Sequence, residues 1–455
     1  VVAALGYFVD IFDLLLFALV RRQSLLEVLA PQIEALKRSL EPELAELANN
    51  PAAQKLLVDT RIDQLLANWG GWLDNVLQTT GLLLGGLVWG VFADRRGRLA
   101  VLFGSILCYS IANLLNGAIT DVDPNGPLGF LHAIGLGSAI RQYEVLRFVA
   151  GFGLAGELGA GVTLVSELVS KEWRGYATTI IATIGILGAV AGYFVTLHTT
   201  WRTAFVIGGA LGLGLLVLRI GVVESGMFRK VQERHVAGRG AFWKLFWPFE
   251  RAKRYLCVVL IAVPIWFVVG TLVKYSDLIG GSMGLVGENK PSPGRSVMWC
   301  YIGLAAGDLC SGLLSQFLRS RRRAIVAFHV LTGLGVLAYF TIAPSGPAIF
   351  DGVVVFLGFG AGYWAVFVTS AAEQFGTNLR ATAATTAPNV VRWSAAGSFL
   401  LWKFLEEQLV RAGRPPAEAI WMSAAIGGVV VLVLAMVALR GIRETFGISL
   451  DYEEK

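Results

Sequence analysis

Charge is scarce in this chain. Only 15% of its 455 residues are Asp, Glu, Lys or Arg, where a soluble protein carries about 25%. That shortage excludes an ordinary water-soluble fold. Apolar residues, 55% of the total, set the architecture, with a mean hydropathy of +0.64. Histidine and cysteine are rare too, with four of each. Cys108, Cys257, Cys300 and Cys310 all lie in apolar runs, which suggests neither a disulfide framework nor a zinc site. His132, His198, His235 and His329 are expected in loops or near helix ends, none at metal-ligand spacing. No nucleophile–base pattern stands out, so neither an enzyme nor a bound cofactor is expected. No Asn-x-Ser/Thr sequon occurs, which is compatible with a bacterial origin. Val1–Val20 lacks the basic start of a signal peptide and carries Asp10 and Asp13 within its apolar stretch. With Val at position 1, a few preceding residues are expected to be missing.

What is present is a succession of long apolar runs. At about 20 residues per span there is room for roughly twelve membrane helices. The net charge of +6 then reads as the Lys and Arg excess of cytoplasmic loops, not as a nucleic-acid surface. Positive charge falls after helices 2, 6 and 8, which places both termini inside. The 54 glycines fit close helix packing in lipid. Gly151, Ala155 and Gly159 form such a small-residue face on helix 4. Gln32–Trp69 stands apart, an amphipathic stretch broken by Pro42 and Asn49-Asn50-Pro51. It reads as an external helical pair between helices 1 and 2.

Between the runs Trp72–Ala93 and Leu99–Ile119 lies the turn Gly90-Val-Phe-Ala-Asp94-Arg95-Arg96-Gly97-Arg98. Gly97 permits the left-handed backbone that a tight reversal needs. The pattern resembles the loop 2–3 signature of the major facilitator superfamily of transporters. Arg147 followed by Gly151 is similar to the helix 4 motif of proton-coupled members. Gly185, Gly188 and Gly192 resemble the helix 5 motif of antiporters, without its Gly-Pro pair. Glu224-Ser225-Gly226 resembles the end of helix 6 in sugar and metabolite porters, without its prolines. Glu373 through Arg380 is similar to the helix 10–11 turn of metabolite–proton symporters and organic-ion transporters. The second half also echoes the first. Glu167 and Arg174 are seven apart, as are Glu373 and Arg380, and Leu218-Arg219…Glu224-Ser225 returns as Leu439-Arg440…Glu444-Thr445. Duplication accounts for such echoes.

The expected architecture is therefore all-α and polytopic, with twelve transmembrane helices in two pseudo-symmetric six-helix bundles. Residues 1–225 form the first bundle, 226–254 a cytoplasmic linker, 255–441 the second bundle and 442–455 a cytoplasmic tail. Phe242–Phe249 is expected as an interfacial helix. The resemblance implies a multi-pass protein of a bacterial inner membrane, working as a monomer by alternating access.

Ionisable residues within spans mark the site. Arg392 and Asn389, just after Pro388 on helix 11, are the leading contacts for an anionic substrate group, because a buried guanidinium suits a bidentate grip on a carboxylate. An internal ion pair of Arg392 with Asp308 or Glu157 is the bland alternative. Tyr7, Lys274 and Tyr275 complete the substrate-binding set. Glu157 leads the proton-coupling set, with Asp10, Asp13 and Asp308 beside it. The resemblance implies a gating role for Gly90, Asp94, Arg95, Gly97, Arg98, Glu167, Arg174, Glu373 and Arg380, in ion pairs weak enough to break each cycle. The function expected is proton-coupled symport of a small organic anion, driven by the proton gradient. A facilitator or symporter of neutral or cationic solutes and a lipid or lysolipid transporter remain open as alternatives.

Overall fold

A computed structural model of the chain describes residues 2–96, 98–168, 183–223 and 245–447. Helices dominate and no strand occurs among these residues. Helix α1 is Val2–Val28. The short α2 (Ala30–Ser39) and α3 (Glu41–Glu46) follow it. Helix α4 (Pro51–Gly70) passes through a π-helical segment, Gly71–Gln78, into α5 (Thr79–Arg96). Then come α6 (Arg98–Asn116), α7 (Ala139–Leu168), α8 (Gly188–His198) and α9 (Trp201–Val223). The second half opens with α10 (Phe249–Leu260), α11 (Val263–Phe267), a π segment Val268–Val273, and α12 (Ser276–Ser282). It continues through α13 (Pro293–Phe317), α14 (Arg321–Thr341), α15 (Pro347–Ala361), α16 (Trp364–Glu373), α17 (Thr377–Arg411) and α18 (Pro416–Ala438).

Helix pairings repeat between the halves. The N-terminal bundle packs α6 on α7, α5 on α7, α6 on α9 and α1 on α8. The C-terminal bundle repeats these as α14 on α15, α13 on α15, α14 on α18 and α11 on α17. Glycines allow the tight contacts. A Cβ on Gly151 of α7 would lie 2.0 Å from the Gln78 carbonyl oxygen, and one on Gly303 of α13 would lie 2.0 Å from that of Val355. The two bundles meet where α5 packs on α17 and α8 on α13. Six of the described helical stretches are long and apolar enough to cross a membrane by themselves, from Trp201–Arg219 to Pro416–Gly441. Others, such as α1 with Asp10, Asp13, Arg21 and Arg22, carry charge, and in lipid such charge must face the interior of the bundle.

Several expectations need correcting. The external stretch is not a separate pair, because its second helix is the protruding end of the second span and runs unbroken from Pro51. The spans expected as helix 7 (Tyr255–Ile279) and helix 10 (Phe350–Ala372), counted as membrane spans, are not continuous. The first breaks around Ile261–Ala262 and Lys274–Tyr275, the second at Gly362–Tyr363. His329 is not near a helix end but buried within α14, its Nε2 2.8 Å from the Ile261 carbonyl and 3.1 Å from the Tyr363 hydroxyl. Of the expected interfacial helix Phe242–Phe249, residues 245–248 are not α-helical and Phe249 is the first residue of α10, although Trp247 and Phe249 are highly exposed. The linker up to residue 244 and the tail beyond residue 447 lie outside the described residues.

Candidate functional site

A small cavity lies where the bundles meet, with about 30 Å³ open to water-sized centres. That is room for roughly two waters. Tyr7 and Ile11 of α1 and Ile186 close it from one bundle. Trp266, Tyr301, Trp364 and Arg392 close it from the other. The breaks in helices 7 and 10 place the two tryptophans: Trp266 sits in the short helix after Pro264, and Trp364 opens α16. The Arg392 guanidinium carbon lies 6.0 Å from the Trp266 ring centroid and 5.7 Å from that of Trp364.

Arg392 is 2% exposed, and no ion pair or hydrogen bond to it is found among the described residues. An unpaired charge in such a place is costly unless something compensates it. The internal pair with Asp308 does not form. Asp308 instead accepts a hydrogen bond from the Ala365 backbone N–H at 2.7 Å, capping the start of α16. Its second oxygen, Oδ2, is buried with no hydrogen-bond partner.

The other expected residues divide by position. Tyr7 lines the cavity, and Asp10 lies within electrostatic reach of both Tyr7 and Arg392. Asp13, one turn on, lies instead against Gly208 of α9. Asn389 packs over Gly86 of α5 and does not line the cavity. Lys274 and Tyr275 sit beyond it, toward the end that carries α2–α4. Lys274 pairs there with Asp74 at 2.5 Å. Tyr275 lies under Arg21, whose guanidinium carbon is 4.6 Å from the ring. Arg21 grips Asp277 through both carboxylate oxygens, at 2.8 and 2.7 Å. All four charges are buried, and each pair joins one bundle to the other. In this conformation the mouth on the α2–α4 side is therefore shut. Arg147, also fully buried, is held by neutral groups, Asn113 at 3.0 Å and Gln78 at 3.4 Å.

Toward the opposite end, Gly90 belongs to α5 with open space beside it. The side chains of Asp94, Arg95 and Arg98, and all of Gly97, lie outside the described residues. So do the side chains of Glu157 and Glu167, whose backbone belongs to α7, and the whole of Arg174. The C-terminal bundle holds ion pairs and hydrogen bonds at this same end. Glu373 pairs with Arg321 at 3.4 Å and accepts a hydrogen bond from the Thr445 hydroxyl at 2.7 Å. Arg380 lies partly buried in the first turns of α17. Glu444 accepts from the Ser320 hydroxyl and from the backbone N–H groups of Arg321 and Arg322 at 3.0 and 3.3 Å, closing the start of α14. Burial works against the Glu444 charge. These bonds, with one from the Phe446 N–H, outweigh it and hold the carboxyl below its usual range.

Sequence reasoning passed over Asp63, Asp74, Trp266, Trp364 and Tyr301. Asp74 carried a usable signal, as an acid within a span. The two tryptophans carried none, because their role depends on breaks in helices that read as continuous.

Known proteins resemble the chain over most of its length. The 3-(3-hydroxy-phenyl)propionate transporter of Escherichia coli is 27% identical over 377 residues, covering 82% of this chain and 84% of that protein. The niacin transporter NiaP of Acinetobacter baylyi is 27% identical over 359 residues, 71% of this chain and 75% of that one. Among solved structures, the inward-open xylose transporter XylE from E. coli superposes with a TM-score of 0.63 at 16% identity, covering 99% and 97% of the two chains. It supports the fold alone. Residues 46–400 match the family description directly. The chain is an integral membrane transporter of small molecules and belongs to the Major Facilitator Superfamily.

Proposed function

We propose that this transporter carries a small planar organic anion, coupled to protons. The observation that supports this most is Arg392. It is a buried cation facing the central cavity with no ion pair or hydrogen bond among the described residues, Asp10 acting on it only from a distance, and two tryptophan rings flank it. A carboxylate would supply the missing charge, and the indoles offer stacking faces to a ring attached to it. The names of relatives, a hydroxyphenylpropionate carrier and a niacin carrier, are in keeping with such a substrate.

For the proton we favour Asp308. One oxygen is fixed by Ala365, and the other has no hydrogen-bond partner in a dry setting where an unneutralised charge is expensive. Asp308 lies one turn from Leu304 of the cavity wall, so opening of the cavity would bring water to it. In this reading both termini face the cytoplasm of a bacterial cell and the monomer is the working unit.

Reconstituted protein tests the proposal. Uptake of radiolabelled nicotinate and 4-hydroxybenzoate into liposomes should rise when an inward pH gradient is imposed. Uptake that ignores the gradient would remove the coupling. Transport of neutral sugars in preference to any carboxylate would remove the anion.

A further inference from the structure

The protruding helix α4 has a buried acid where a solvated one would be expected. The Asp63 side chain is only 4% exposed, although it sits on a polar stretch outside the span. Both of its oxygens are engaged. Oδ1 takes Arg22 of α1 at 2.5 Å, and Oδ2 takes Lys290, from the segment between helices 7 and 8 of the other bundle. A single carboxylate thus ties the two bundles together beyond the membrane span.

Asp63 is also mechanically joined to the gate below it. Eleven residues separate it from Asp74 along one unbroken helix, about 16 Å at the helical rise. Each acid meets a lysine of the opposite bundle, Lys290 above and Lys274 below. Two acids on one rod cannot be released independently by a rigid movement. The rod is pinned between them as well: a Cβ on Gly70 would meet Arg21, and one on Gly71 would meet Phe399 of α17.

We propose that Asp63 is a latch, and that the protruding part of helix 2 exists to carry it. It adds a third inter-bundle ion pair to Arg21–Asp277 and Lys274–Asp74. Being nearest to water, it is the first to break when the mouth opens and the last to form when it shuts. Its strength sets how often the α2–α4 side opens.

The test needs no substrate, so it stands apart from the anion proposal. Asn75 is fully buried at the shut mouth, where its amide donates to the Gly270 carbonyl at 2.9 Å. In Asn75→Cys protein in lipid nanodiscs, the rate of reaction with a water-soluble maleimide, above that of the parent with its native cysteines, reports opening. Adding Asp63→Asn should raise that rate on the order of tenfold, as expected for losing charge-assisted bonds. Lys290→Gln alters a partly exposed side chain, so it guards against misfolding. It should also raise the rate, and the double variant should exceed neither single by more than about twofold, because both break one latch. Unchanged labelling in either single variant, or fully multiplicative effects, would overturn the proposal.

Discussion

Asp308 and Ala365 meet at the break in helix 10, where the backbone N–H of Ala365 donates to the Asp308 carboxyl at 2.7 Å. The helix that follows the break is therefore capped by a side chain from a different helix. Asn keeps an oxygen for that bond and Ala does not. Asp308→Asn should leave stability close to wild type and retain substrate exchange, while gradient-driven accumulation is lost. Asp308→Ala should in addition lose about 1 kcal/mol, as for any lost helix cap. Thermal unfolding and counterflow assays on both variants separate the cap from the proton. Full pH-driven uptake by Asp308→Asn would move the proton site elsewhere.

Arg392→Ala should reduce binding of an aromatic carboxylate by roughly 100-fold, the loss of charge-assisted bonds to a desolvated anion. Arg392→Lys keeps the charge but not the planar fork and should lose about tenfold. Titration calorimetry with nicotinate checks both. Equal affinities in the three proteins would remove Arg392 from the site.

Glu444 gives a pH prediction with a definite sign. Its carboxyl is held below the usual range in the folded state. Its contribution is therefore present above the unfolded value of about 4.3 and lost as pH falls through the folded one. Glu444→Gln should cost about 1 kcal/mol at neutral pH, kept modest by partial exposure. The gap to wild type should close in acid. Melting curves from pH 7 to pH 3 test this, and a gap that widened in acid would contradict it.

Two glycines should respond in opposite ways. Gly151→Ala places a methyl against the Gln78 carbonyl and should destabilise by about 1–3 kcal/mol. Gly214, within α9, has nothing within 4 Å of the same position. Gly214→Ala should be neutral or stabilise by up to about 1 kcal/mol. Thermal midpoints in detergent compare them directly.

Much of the fold was legible because lipid leaves few choices. Spans such as α9 and α18 begin and end within a few residues of where their apolar runs do. Arg392 was legible for the same reason, as a charge where charge is costly. What escaped was set by distant partners. Gly70-Gly71 reads as a boundary, yet both lie inside a helix, small because Arg21 and Phe399 rest on them. The cap just after the break at Gly362–Tyr363 comes from Asp308, more than fifty residues earlier. Asn389 shares a face with Arg392 by local spacing, but the α5–α17 contact claims it.

Helix 2, from Pro51 to Arg96, is about 69 Å from tip to tip, roughly twice what the bilayer's hydrocarbon requires. The excess is a handle. Lys55 and Asp59 lie exposed on that stub. If the stub moves with its span, a binder clamped there should slow turnover from the aqueous side without approaching the pocket, though too large ever to be a substrate.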